Sequence, residues 1–586
     1  MSEIVSSALS ADVEPVIVVG GGPTGLTAAL ELAYHGVASI VLDAGRQRSD
    51  GSRAIALHRT ALAVWERLGC AEPMLARGVA WRARRTFYRD RELSAQRMPA
   101  PAPDDLPTFL NLQQYHTEDY LIRSARFAAM VDLRWEHRVV GVVQDGAGVL
   151  VDAQTPSGPI RLRGCYVLAC DGARSSMRKL LGLDFPGTTF ADRFLIADIR
   201  ADLPLAPEPR FFFDHPTNPG STILIHPQPD GVWRIDWQLG SAVDIAAERS
   251  PDALGRRIRG VIGDVPYELV WLSDYRFHQR LLDRIRHGRI FFLGDAAHLV
   301  APFGARGLNS AIHDVENLGW KLAAVLRGAA PESLLDTYQA ERRPAQRHDQ
   351  AVTTATMRFM APRTMPQRLR RTTILRLSGI CKSARRWVNS GRMSEPFTYR
   401  TSPILAPDAE PRRAWRGAPR SGAKAPDPAL LLIEGPGVRQ SLRLRRLLGS
   451  GFVALYFAPD HTAARLFMEQ ASTARYPVGL TVWPVLRDAP RDGSAQPVLW
   501  DYRGELSHAF AAQPGTFFLI RPDGYVAARR RRIRADEVTR LVQLASANPE
   551  SAVSAHHVVS GVHSNWVRTP WRSAPTSLTT LTSRKP

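Results

Sequence analysis

The sequence predicts an α/β protein in which a parallel sheet flanked by helices is joined to an antiparallel sheet and a smaller C-terminal domain. Three observations predict this class. Residues 15–43 alternate strand, glycine-rich turn, helix and strand; residues 190–275 hold several short strands of period-two character; residues 289–328 pair an apolar strand with a long amphipathic helix. The 586 residues exceed what one core supports, and length alone suggests about three to four domains.

The first unit is the stretch PVIVVGGGPTGLTAALELAYHGVASIVLD, residues 15–43. Its apolar strand is followed by glycines in the order G-x-G-x-x-G and then by apolar residues at helical spacing. Gly20 permits the turn, Gly22 lets the backbone approach a pyrophosphate, and Gly25 allows helix and strand to pack closely. Asp43 ends the second strand near the offset expected of an acid that binds an adenosine ribose. The unit therefore predicts dinucleotide binding by a Rossmann-like domain; the alternative is a structural turn in another α/β protein.

The next segments extend this domain. Arg53 stands at the mouth of a helix, where an arginine can hold a phosphate or ribose edge or be a solvated loop charge; its residue type leaves both open. A further helix is expected to begin near Thr117. Residues 135–143 and 149–155 are predicted to form successive strands of an antiparallel insertion, joined by the turn D-G-A-G.

Two later turns are predicted to join the same domain. Asp171 and Gly172 close a strand and are followed by a helix with several basic residues. The intervening residues 190–275 predict one sizeable antiparallel sheet, which could cover a planar ligand like a wall. The chain then returns in GDAAHLVAPFGARGLN, where the glycine-bearing loop 302–309 precedes a long helix. The start of that helix is a second point at which the backbone could cradle a cofactor.

Composition narrows the function classes. The formal charge is +20, from 76 Lys and Arg against 56 Asp and Glu, but the basic residues are scattered and only Arg529–Arg532 form a compact run. We therefore expect no nucleic-acid partner, and instead attraction for a phosphorylated cofactor and an acidic or phenolate substrate. The four cysteines show no metal-type clustering with histidines, so no metal site is expected.

The same composition bears on location. No apolar run reaches the roughly 18 residues that would span a bilayer, so no membrane association is expected. The N-terminal residues carry early acids and lack a basic and apolar signal segment. Both features favour a cytoplasmic protein with reduced thiols.

Three motifs together resemble the FAD-dependent aromatic hydroxylases, the single-component flavoprotein monooxygenases such as phenol, p-hydroxybenzoate and 3-(3-hydroxyphenyl)propionate hydroxylases. The motifs are G-x-G-x-x-G at 20–25, D-G with its following arginines at 171–178, and G-D-A-A-H with P-x-G-x-x-G-L-N at 294–309. The resemblance spans about residues 14–350. The commoner loop has two prolines and a Gly-Gln pair, and this sequence differs there at Ala301, Pro302, Ala305 and Arg306. The difference leaves the substrate class open.

The resemblance implies FAD as the bound cofactor and NAD(P)H as its reductant. It implies that Asp171 and Gly172 serve both FAD and NAD(P)H. The other implied cofactor-binding residues are Gly20, Gly22 and Gly25 on the pyrophosphate, Asp43 on the ribose, Arg53 and Gln114 on the cofactor, Asp295 near the ribitol and phosphate, and Gly307, Leu308 and Asn309 against the isoalloxazine.

The implied reaction is hydroxylation of a phenolic or other electron-rich aromatic substrate. In it NAD(P)H reduces FAD, O2 adds at flavin C4a, and the distal oxygen of the hydroperoxide passes to the ring. A base near the ring would assist by forming the phenolate. The candidates, each with a structural role as its alternative, are His226, Asp236 and Pro302 for catalysis and His58, Phe213 and Gln238 for the substrate. Epoxidation, Baeyer–Villiger oxygenation and a non-catalytic flavin-binding regulator remain as alternatives.

The predicted domain organisation has six parts. They are a flexible N-terminus 1–13, an FAD-binding domain 14–189 and 276–350, a substrate-binding β-sheet domain 190–275, a helical linker 351–421, a C-terminal domain 422–545 and a disordered tail 546–586. The C-terminal domain resembles the thioredoxin-like domain of the phenol hydroxylase branch. Because H-T-A-A-R stands where a thioredoxin carries Cys-x-x-Cys, thiol redox chemistry is excluded, and a scaffold or homodimer interface is expected.

Overall fold

The structure is a computed structural model. It describes residues 14–102, 104–240, 243–360, 362, 364–378, 381, 393–433, 439–471, 476–488 and 497–548. The predicted flexible segment 1–13 and nearly all of the predicted tail lie outside the described residues.

A six-stranded sheet forms the centre of the first domain. Its four inner strands are short and largely apolar on both faces, as is typical of parallel strands covered by helices on both sides. Neighbouring strands are parallel except for the hairpin at one edge. In spatial order they are β18 (Arg286–His287), β19 (Ile290–Phe292), β12 (Val167–Ala169), β1 (Val16–Val19), β2 (Ser39–Leu42) and β8 (Val131–Arg134).

Two small antiparallel sheets are attached to this domain. One corresponds to the predicted insertion and has a third strand that was not expected. Its strands are β11 (Gly158–Gly164), β10 (Val149–Thr155) and β9 (Arg138–Gln144). The other consists of β3 (Ala56–His58), β7 (Phe109–Asn111) and β4 (Val79–Ala80).

An eight-stranded sheet contains the run of short strands in the middle of the chain. Neighbours are antiparallel except for one parallel pair, β14 with β5. Its strands, in spatial order, are β20 (His298–Leu299), β17 (Glu268–Leu281), β13 (Gly187–Arg200), β16 (Val232–Leu239), β15 (Thr222–Pro227), β14 (Arg210–Phe213), β5 (Ala83–Tyr88) and β6 (Arg91–Arg97).

A seven-stranded mixed sheet forms the centre of the C-terminal part. Two of its pairs, β23 with β24 and β24 with β25, are parallel. Its strands, in spatial order, are β22 (Arg439–Arg443), β21 (Ala429–Ile433), β25 (Val498–Trp500), β24 (Leu480–Leu486), β23 (Phe452–Phe457), β26 (Phe517–Ile520) and β27 (Val526–Arg530).

The helices cover these sheets. In the described residues they are α1 (Pro23–Tyr34), α2 (Arg59–Arg67), α3 (Ala71–Arg77), α4 (Gln114–Phe127), α5 (Ser176–Leu180), α6 (Ile245–Glu248), α7 (Pro251–Ile262), α8 (Gly307–Leu326), α9 (Asp336–Met360), α10 (Met365–Ser378), α11 (His461–Ala471), α12 (Glu505–Ala509) and α13 (Ala535–Ala545).

Two helices differ from their sequence-based expectations. The helix expected near Thr117 begins at Gln114. The segment LLDTYQAERRPAQRHDQAV, residues 334–352, predicts a helix that is interrupted at Pro344, but the helix runs through that proline from Asp336 to Met360. An interior proline costs a helix about 3 kcal/mol. That cost is offset here by buried hydrogen bonds of Glu341 and Arg342 before the proline, which are described below, and of Gln346 after it, whose amide donates to Asp314 at 3.2 Å.

The eight-stranded sheet separates two apolar clusters. Alternate side chains such as Leu195, Ile235 and Trp237 pack on one face with Leu254 and Ile258 of α7. The opposite face, called here the aromatic face, packs against residues of the 301–303 loop and of α9 and α10. Its buried members are Leu93, Phe194, Phe213, Leu224, Phe277, Ala301, Phe303, Met357, Met360 and Leu375.

Candidate functional site

The three glycine-bearing motifs meet at one edge of the parallel sheet. Gly20 follows β1, Asp171 follows shortly after β12, and Gly294 follows β19, and these three strands are neighbours. Parallel neighbours place their carboxyl ends at the same edge, where open α/β sheets bind ligands. The first turn of α1 and the start of α8 reach the same place, because a Cβ built on Gly294 would lie 2.8 Å from Oγ1 of Thr24 and 3.1 Å from Cβ of Ala311.

The glycines of the first turn differ in what surrounds them. A Cβ on Gly20 would lie 2.5 Å from the Cys170 carbonyl oxygen, and one on Gly25 would lie 1.9 Å from the Gly20 carbonyl oxygen. A Cβ on Gly22, in contrast, would meet no atom within 4 Å. Gly20 and Gly25 are therefore required by packing, whereas Gly22 leaves open space in front of the helix.

The starts of α1 and α8 fit the phosphates and carbonyls of a dinucleotide. Neither helix has a side-chain cap, so the N–H groups of its first turn are not occupied by its N-cap residue. Uncapped N–H groups together with the helix dipole favour an anionic ligand. The residues present at this edge thus fit FAD.

Asp43 is held in place by the backbone. Its Oδ2 accepts from the Gly21 N–H at 2.6 Å and its Oδ1 from the Gly45 N–H at 2.7 Å. The carboxylate is half-buried at the end of β2. Each oxygen keeps acceptor capacity toward a ribose hydroxyl.

Arg178 ties two of the motifs together, a role that the sequence did not indicate. Its guanidinium donates to the carbonyl oxygens of Ala173 and, at 2.7 Å, Ala296. Asp171 lies beside it and accepts from the Ser176 hydroxyl and the Met177 N–H of α5 at 3.0 Å each. The predicted D-G and G-D turns are therefore fixed relative to each other by a buried arginine.

Asp295 lies in the 3-10 turn Gly294–Ala296. Burial raises the pKa of its carboxyl group, although His298, Arg53 and Arg178 act in the opposite direction. A raised pKa marks a carboxyl that lacks full compensation in this structure.

The start of α8 is anchored through Asn309. Its side-chain amide donates to the carbonyls of Ala56 at 3.0 Å and Ala305 at 2.6 Å, and its oxygen accepts from the His58 N–H at 2.8 Å. The Asn309 side chain thus joins α8 to β3. Gly307 and Leu308 are half-buried. Ala305 has φ +54°, a left-handed conformation that favours glycine, at the position where the commoner loop has one.

The 301–306 loop lies against the aromatic face. The Phe303 ring is 5.7 Å from the rings of both Phe194 and Phe277. The structure therefore brings the predicted flavin cradle onto the face of the sheet that also carries Asp236, Gln238 and His226. Pro302 in this loop is exposed.

On this face, Asp236 has the carboxyl group whose pKa is shifted furthest from its ordinary value. Ile196 and Leu224 flank it on the adjacent strands, and its Oδ1 is buried without a hydrogen-bond partner among the described residues. Burial raises its pKa to about 7, against the lowering effect of nearby Arg234. The Arg234 guanidinium is itself paired with Asp198, at 2.7 and 2.8 Å.

His226 and Gln238 flank Asp236. Burial, with Arg234 and Arg84 nearby, lowers the pKa of His226 to about 3, so its imidazole is neutral and weakly basic at neutral pH. Gln238 is buried, and its Oε1 has no hydrogen-bond partner in the described part of the chain. Unpartnered polar atoms on a largely apolar face are typical of a ligand site.

The remaining predicted residues lie nearby with structural contacts of their own. The Gln114 side chain accepts from the Ala54 N–H at 3.1 Å and so holds the exposed loop that carries Arg53. His58 caps α2 and contacts the Thr60 hydroxyl at 2.8 Å; burial lowers its pKa to about 4. Phe213 packs edge-on against Phe359 of α9 at 5.6 Å.

Other findings concern metals, membranes and the basic run. The described ranges hold no group of three or more His, Cys, Asp or Glu side chains able to bind a metal ion. Nor does any helix in them combine the length and apolar character needed to cross a membrane.

In the basic run 529–532, two arginines have partners within the protein: Arg529 pairs with Asp408 at 2.6 Å, and Arg531 donates to the Ala414 carbonyl.

Comparison with known proteins identifies the fold and the family. A family model described as an FAD binding domain matches residues 14–354. The 3-(3-hydroxy-phenyl)propionate/3-hydroxycinnamic acid hydroxylase of Mycobacterium sp. (strain JLS) is 30% identical over 535 residues, covering 89% of this chain and 90% of its own. The 6-methylpretetramide 4-monooxygenase of Streptomyces rimosus is 29% identical over 570 residues, covering 92% and 95%.

Among solved structures, the flavin-dependent monooxygenase PieE, crystallised with FAD and substrate, matches with a TM-score of 0.74. The two share 24% identity, and the match covers 92% of this chain and 99% of that one. This likeness confirms the predicted α/β fold, and the family model confirms the FAD-binding domain.

Proposed function

Because the chain belongs to the FAD-dependent aromatic hydroxylases, we propose that its three converging turns hold FAD and that the aromatic face holds the substrate ring beside it. The protein is a monooxygenase that hydroxylates an aromatic substrate with NAD(P)H and O2. Bound FAD supplies the electron transfer from NAD(P)H to O2 that makes one oxygen atom available to the ring. The non-catalytic reading is not favoured, since the relatives named above are a hydroxylase and a monooxygenase.

One observation carries the proposed arrangement: Phe303 of the cofactor loop packs on Phe194 and Phe277 of the sheet. A ring bound between loop and sheet would therefore lie close to both the start of α8 and the polar side chains of β16. Apolar and aromatic walls with a few polar groups are the usual construction of such a site.

We assign the role of base to Asp236. A carboxylate with pKa about 7 is basic enough to accept a phenol proton and is still ionised in a large fraction at neutral pH. His226, with pKa about 3, is a much weaker acceptor, so its proposed role is contact with the substrate. Gln238 would orient the substrate through its unpartnered Oε1.

The cofactor-binding roles remain those proposed from the sequence. Open space at Gly22 supports contact with the pyrophosphate, and the uncapped start of α8 supports contact with the isoalloxazine through backbone N–H groups of Gly307 and Leu308. For Asn309 the geometry supports an indirect role, because its side chain is bonded to β3 and Ala305.

The C-terminal domain is proposed to be thioredoxin-like without redox activity. The order of its elements supports this: β23, helix α11, parallel β24, then antiparallel β26 and β27 and helix α13. The start of α11, where a thioredoxin would carry its cysteines, begins at His461 and reads H-T-A-A-R.

The function is tested by loading the purified protein with FAD and offering two substrate sets, monocyclic hydroxyphenyl acids and polycyclic phenols. We expect one set to accelerate NAD(P)H oxidation and to yield a product that is heavier by one oxygen atom. A protein that takes up no FAD, or that consumes NAD(P)H without oxygenating any member, would contradict the proposal.

The base is tested with Asp236→Asn. General-base catalysis typically contributes a factor of about 100 or more, so turnover should fall by at least about that much while FAD binding is retained. Asp274→Asn is the matched control, since Asp274 lies in the same sheet beside Leu195 of the opposite face and pairs with Arg249 at 2.7 Å. Full turnover by Asp236→Asn would exclude the assignment.

A further inference from the structure

A buried ionic cluster joins the C-terminal domain to α8 and α9. Its centre is Glu341, fully buried in α9, and its other members come from three separate parts of the chain. We call it the Glu341 cluster; its members are Asn317, Lys321, Glu341, Ser402, Arg521 and Asp523.

Side chains from three parts of the chain donate hydrogen bonds to the Glu341 carboxylate. Lys321 Nζ and Asn317 Nδ2 of α8 approach its Oε2 at 2.7 and 2.6 Å. Both arms of the Arg521 guanidinium donate to the two carboxylate oxygens, one of them at 2.9 Å, and Arg521 is held in turn by Asp523. Burial alone would raise the pKa of Glu341, but the Arg521 and Lys321 cations hold it well below its usual range.

The next residue in the helix, Arg342, points to the edge of the parallel sheet where Gly20, Asp171 and Gly294 meet, called here the cofactor edge. Its guanidinium donates to Asp314 Oδ1 at 2.7 Å and to the Ser310 carbonyl and hydroxyl at 3.1 Å each. Its remaining arm donates to the Tyr399 hydroxyl at 3.0 Å. Ser310 lies in the first turn of α8, directly after Asn309.

Asp314 carries the connection to the third motif, G-D-A-A-H. Its Oδ2 accepts from the Gly294 N–H at 3.1 Å and from His298 at 2.7 Å. One unbroken series of buried bonds therefore runs from Arg521 through Glu341, Arg342 and Asp314 to Gly294.

We propose that Arg521 is a positioning residue for the flavin site: it fixes α9 through Glu341, so that Arg342 and Asp314 hold residues 294–310 in the conformation that binds FAD. The inference rests on the proposed placement of FAD against these residues. It assigns the C-terminal domain a part in cofactor binding that a scaffold alone would not have.

The physical basis is the cost of leaving a buried charge uncompensated. Arg521 and Glu341 are both fully buried, so any shift of α9 that separates them leaves each ion with a single counter-charge, Asp523 or Lys321, and with part of its desolvation uncompensated. The pair therefore fixes the position of α9 along its axis more strictly than apolar contacts, which tolerate small displacements. Arg342, adjacent in sequence to Glu341, transmits that position to the cofactor edge.

The domain contact also offers a matched control. Arg445 of the C-terminal part pairs with Glu66 of α2 at 2.6 Å. Like the Arg521 pair, it joins the C-terminal domain to the FAD-binding part. Among the described residues, the hydrogen bonds and ion pairs of Arg445 reach neither α9 nor the cofactor edge; its other partners are Asp427, Asp104 and Asp105.

The experiment compares three full-length variants with the wild type: Arg521→Gln, Tyr399→Phe and Arg445→Gln. For each, the Kd for FAD is obtained by titrating apoprotein against the quenching of flavin fluorescence, and the reduction potential of bound flavin is measured. A thermal melt of each apoprotein reports how much of it is folded at the titration temperature.

We expect Arg521→Gln to raise the Kd for FAD about 10-fold or more, a size typical of losing a residue that holds ligand-binding groups in place. Tyr399→Phe removes one hydrogen bond from Arg342 and should raise it about 3-fold without unfolding the protein. Arg445→Gln should change it less than about 2-fold even where its melting temperature falls as far as that of Arg521→Gln. The flavin potential should move in the first two variants only.

Equal Kd and potential in wild type, Arg521→Gln and Tyr399→Phe would overturn the inference. If Arg521→Gln does not fold, an unchanged Kd in Tyr399→Phe is sufficient to overturn it. An equal rise in Kd for Arg445→Gln would also overturn it, because the effect would then follow stability alone. A wild-type protein that binds no FAD would contradict the proposed function itself, which distinguishes the two failures.

Discussion

Burial raises the pKa of Asp236, and two neighbouring charges act on it in opposite directions. Arg234 lies close enough to lower it, but Asp198 neutralises much of that guanidinium charge and itself raises the Asp236 pKa. The raised value therefore depends on an ion pair whose partners are both buried, with side chains 2% exposed. A change in the pair should be visible as a change in the pH dependence of catalysis.

We predict that Asp198→Asn shifts the ionisation of Asp236 to lower pH. Without the Asp198 charge, Arg234 stabilises the Asp236 carboxylate more strongly, and a nearby opposite charge typically lowers a carboxyl pKa by about 1–3 units. In the wild type, kcat/KM should rise as pH increases through about 7, where the base loses its proton. In the variant this rise should occur at least about one unit lower.

The measurement is a pH profile of kcat/KM between pH 5 and 9 for the wild type, Asp198→Asn and the control Asp274→Asn. Asp274→Asn, on the opposite face, should keep the wild-type profile. An unmoved profile in Asp198→Asn would mean that Asp236 is not the group titrating near 7.

At the scale of the element, the glycines at the junction of β1 and α1 have different roles: packing requires Gly25, whereas Gly22 leaves room for a ligand. Gly25 is confined by the Gly20 carbonyl, whereas Gly22 has ordinary extended backbone, φ −78° and ψ −178°, and open space before it. Alanine fits the backbone at Gly22 without strain. The two glycines should therefore respond in opposite ways to the same substitution.

We predict that Gly22→Ala costs the apoprotein no more than about 1 kcal/mol, because alanine is a poorer N-cap residue than glycine by about that amount and the new methyl meets no atom within 4 Å. Its Kd for FAD should rise about 10-fold or more, since the new methyl occupies the space of the pyrophosphate. Gly25→Ala should instead destabilise the apoprotein by about 1–3 kcal/mol through overpacking.

Thermal or denaturant unfolding of the apoproteins and FAD titration of each variant provide the two readouts. If Gly22→Ala binds FAD as tightly as the wild type, the cofactor does not approach the backbone at this turn.

The sequence could predict those turns and strands that carry a pattern of their own. The turn at 20–25, the strand before Asp171 and the strand before Gly294 each carry a local pattern, and parallel topology then brings their ends together. The family, the FAD cofactor and the oxygenase activity, all inferred from these motifs, are confirmed by the comparisons. The roles of individual site residues stay predictions.

Contacts between distant segments could not be predicted. Nothing near Glu341 in sequence indicates a partner 180 residues later in Arg521, and a proline three positions after Glu341 suggested a break. The helix continues because Glu341 and Arg342 are bonded on all sides before Pro344 is reached. Likewise the pKa of Asp236 depends on burial between β13 and β15, which strand alternation alone does not quantify.

At the scale of the whole molecule, buried carboxylates fix the separate parts of the chain to one another. Glu31 of α1 pairs with Arg67 of α2 at 3.0 Å, and a Cβ on Gly449 of the C-terminal part would lie 2.3 Å from Cδ of Arg67. Burial raises the pKa of Glu31, but Arg67 and His35 more than reverse this and bring it to about 2. The pair therefore lies where three parts of the molecule meet.

We predict that acid weakens this junction. The folded pKa of Glu31 lies below the unfolded value of about 4.3, so its contribution is complete above that pH and is lost as pH falls toward 2. The shift corresponds to about 3 kcal/mol at neutral pH. About 2 kcal/mol of this is lost by pH 3, so denaturant unfolding at pH 7 and pH 3 should show a loss of at least about 2 kcal/mol in the wild type.

Glu31→Gln is the control, since it removes the ionisable group while keeping an amide in the same space. It should be less stable than the wild type at pH 7 and lose less stability between pH 7 and pH 3. Equal losses in both proteins would mean that Glu31 does not carry the acid sensitivity.

The parallel sheet and its supports are assembled from segments far apart in the chain, from β1 near the start to Arg521 near the end. Ribosomes add roughly 5–20 residues per second, so on the order of 25–100 s separates the synthesis of Gly20 from that of Arg521. During translation the glycine-rich turn is thus exposed long before the last of its supports exists. With Arg521 as a support of the flavin site, a nascent chain can encounter the flavin nucleotide early but reaches full affinity for it only when synthesis is nearly finished, which favours cofactor loading as a late step in the maturation of this enzyme.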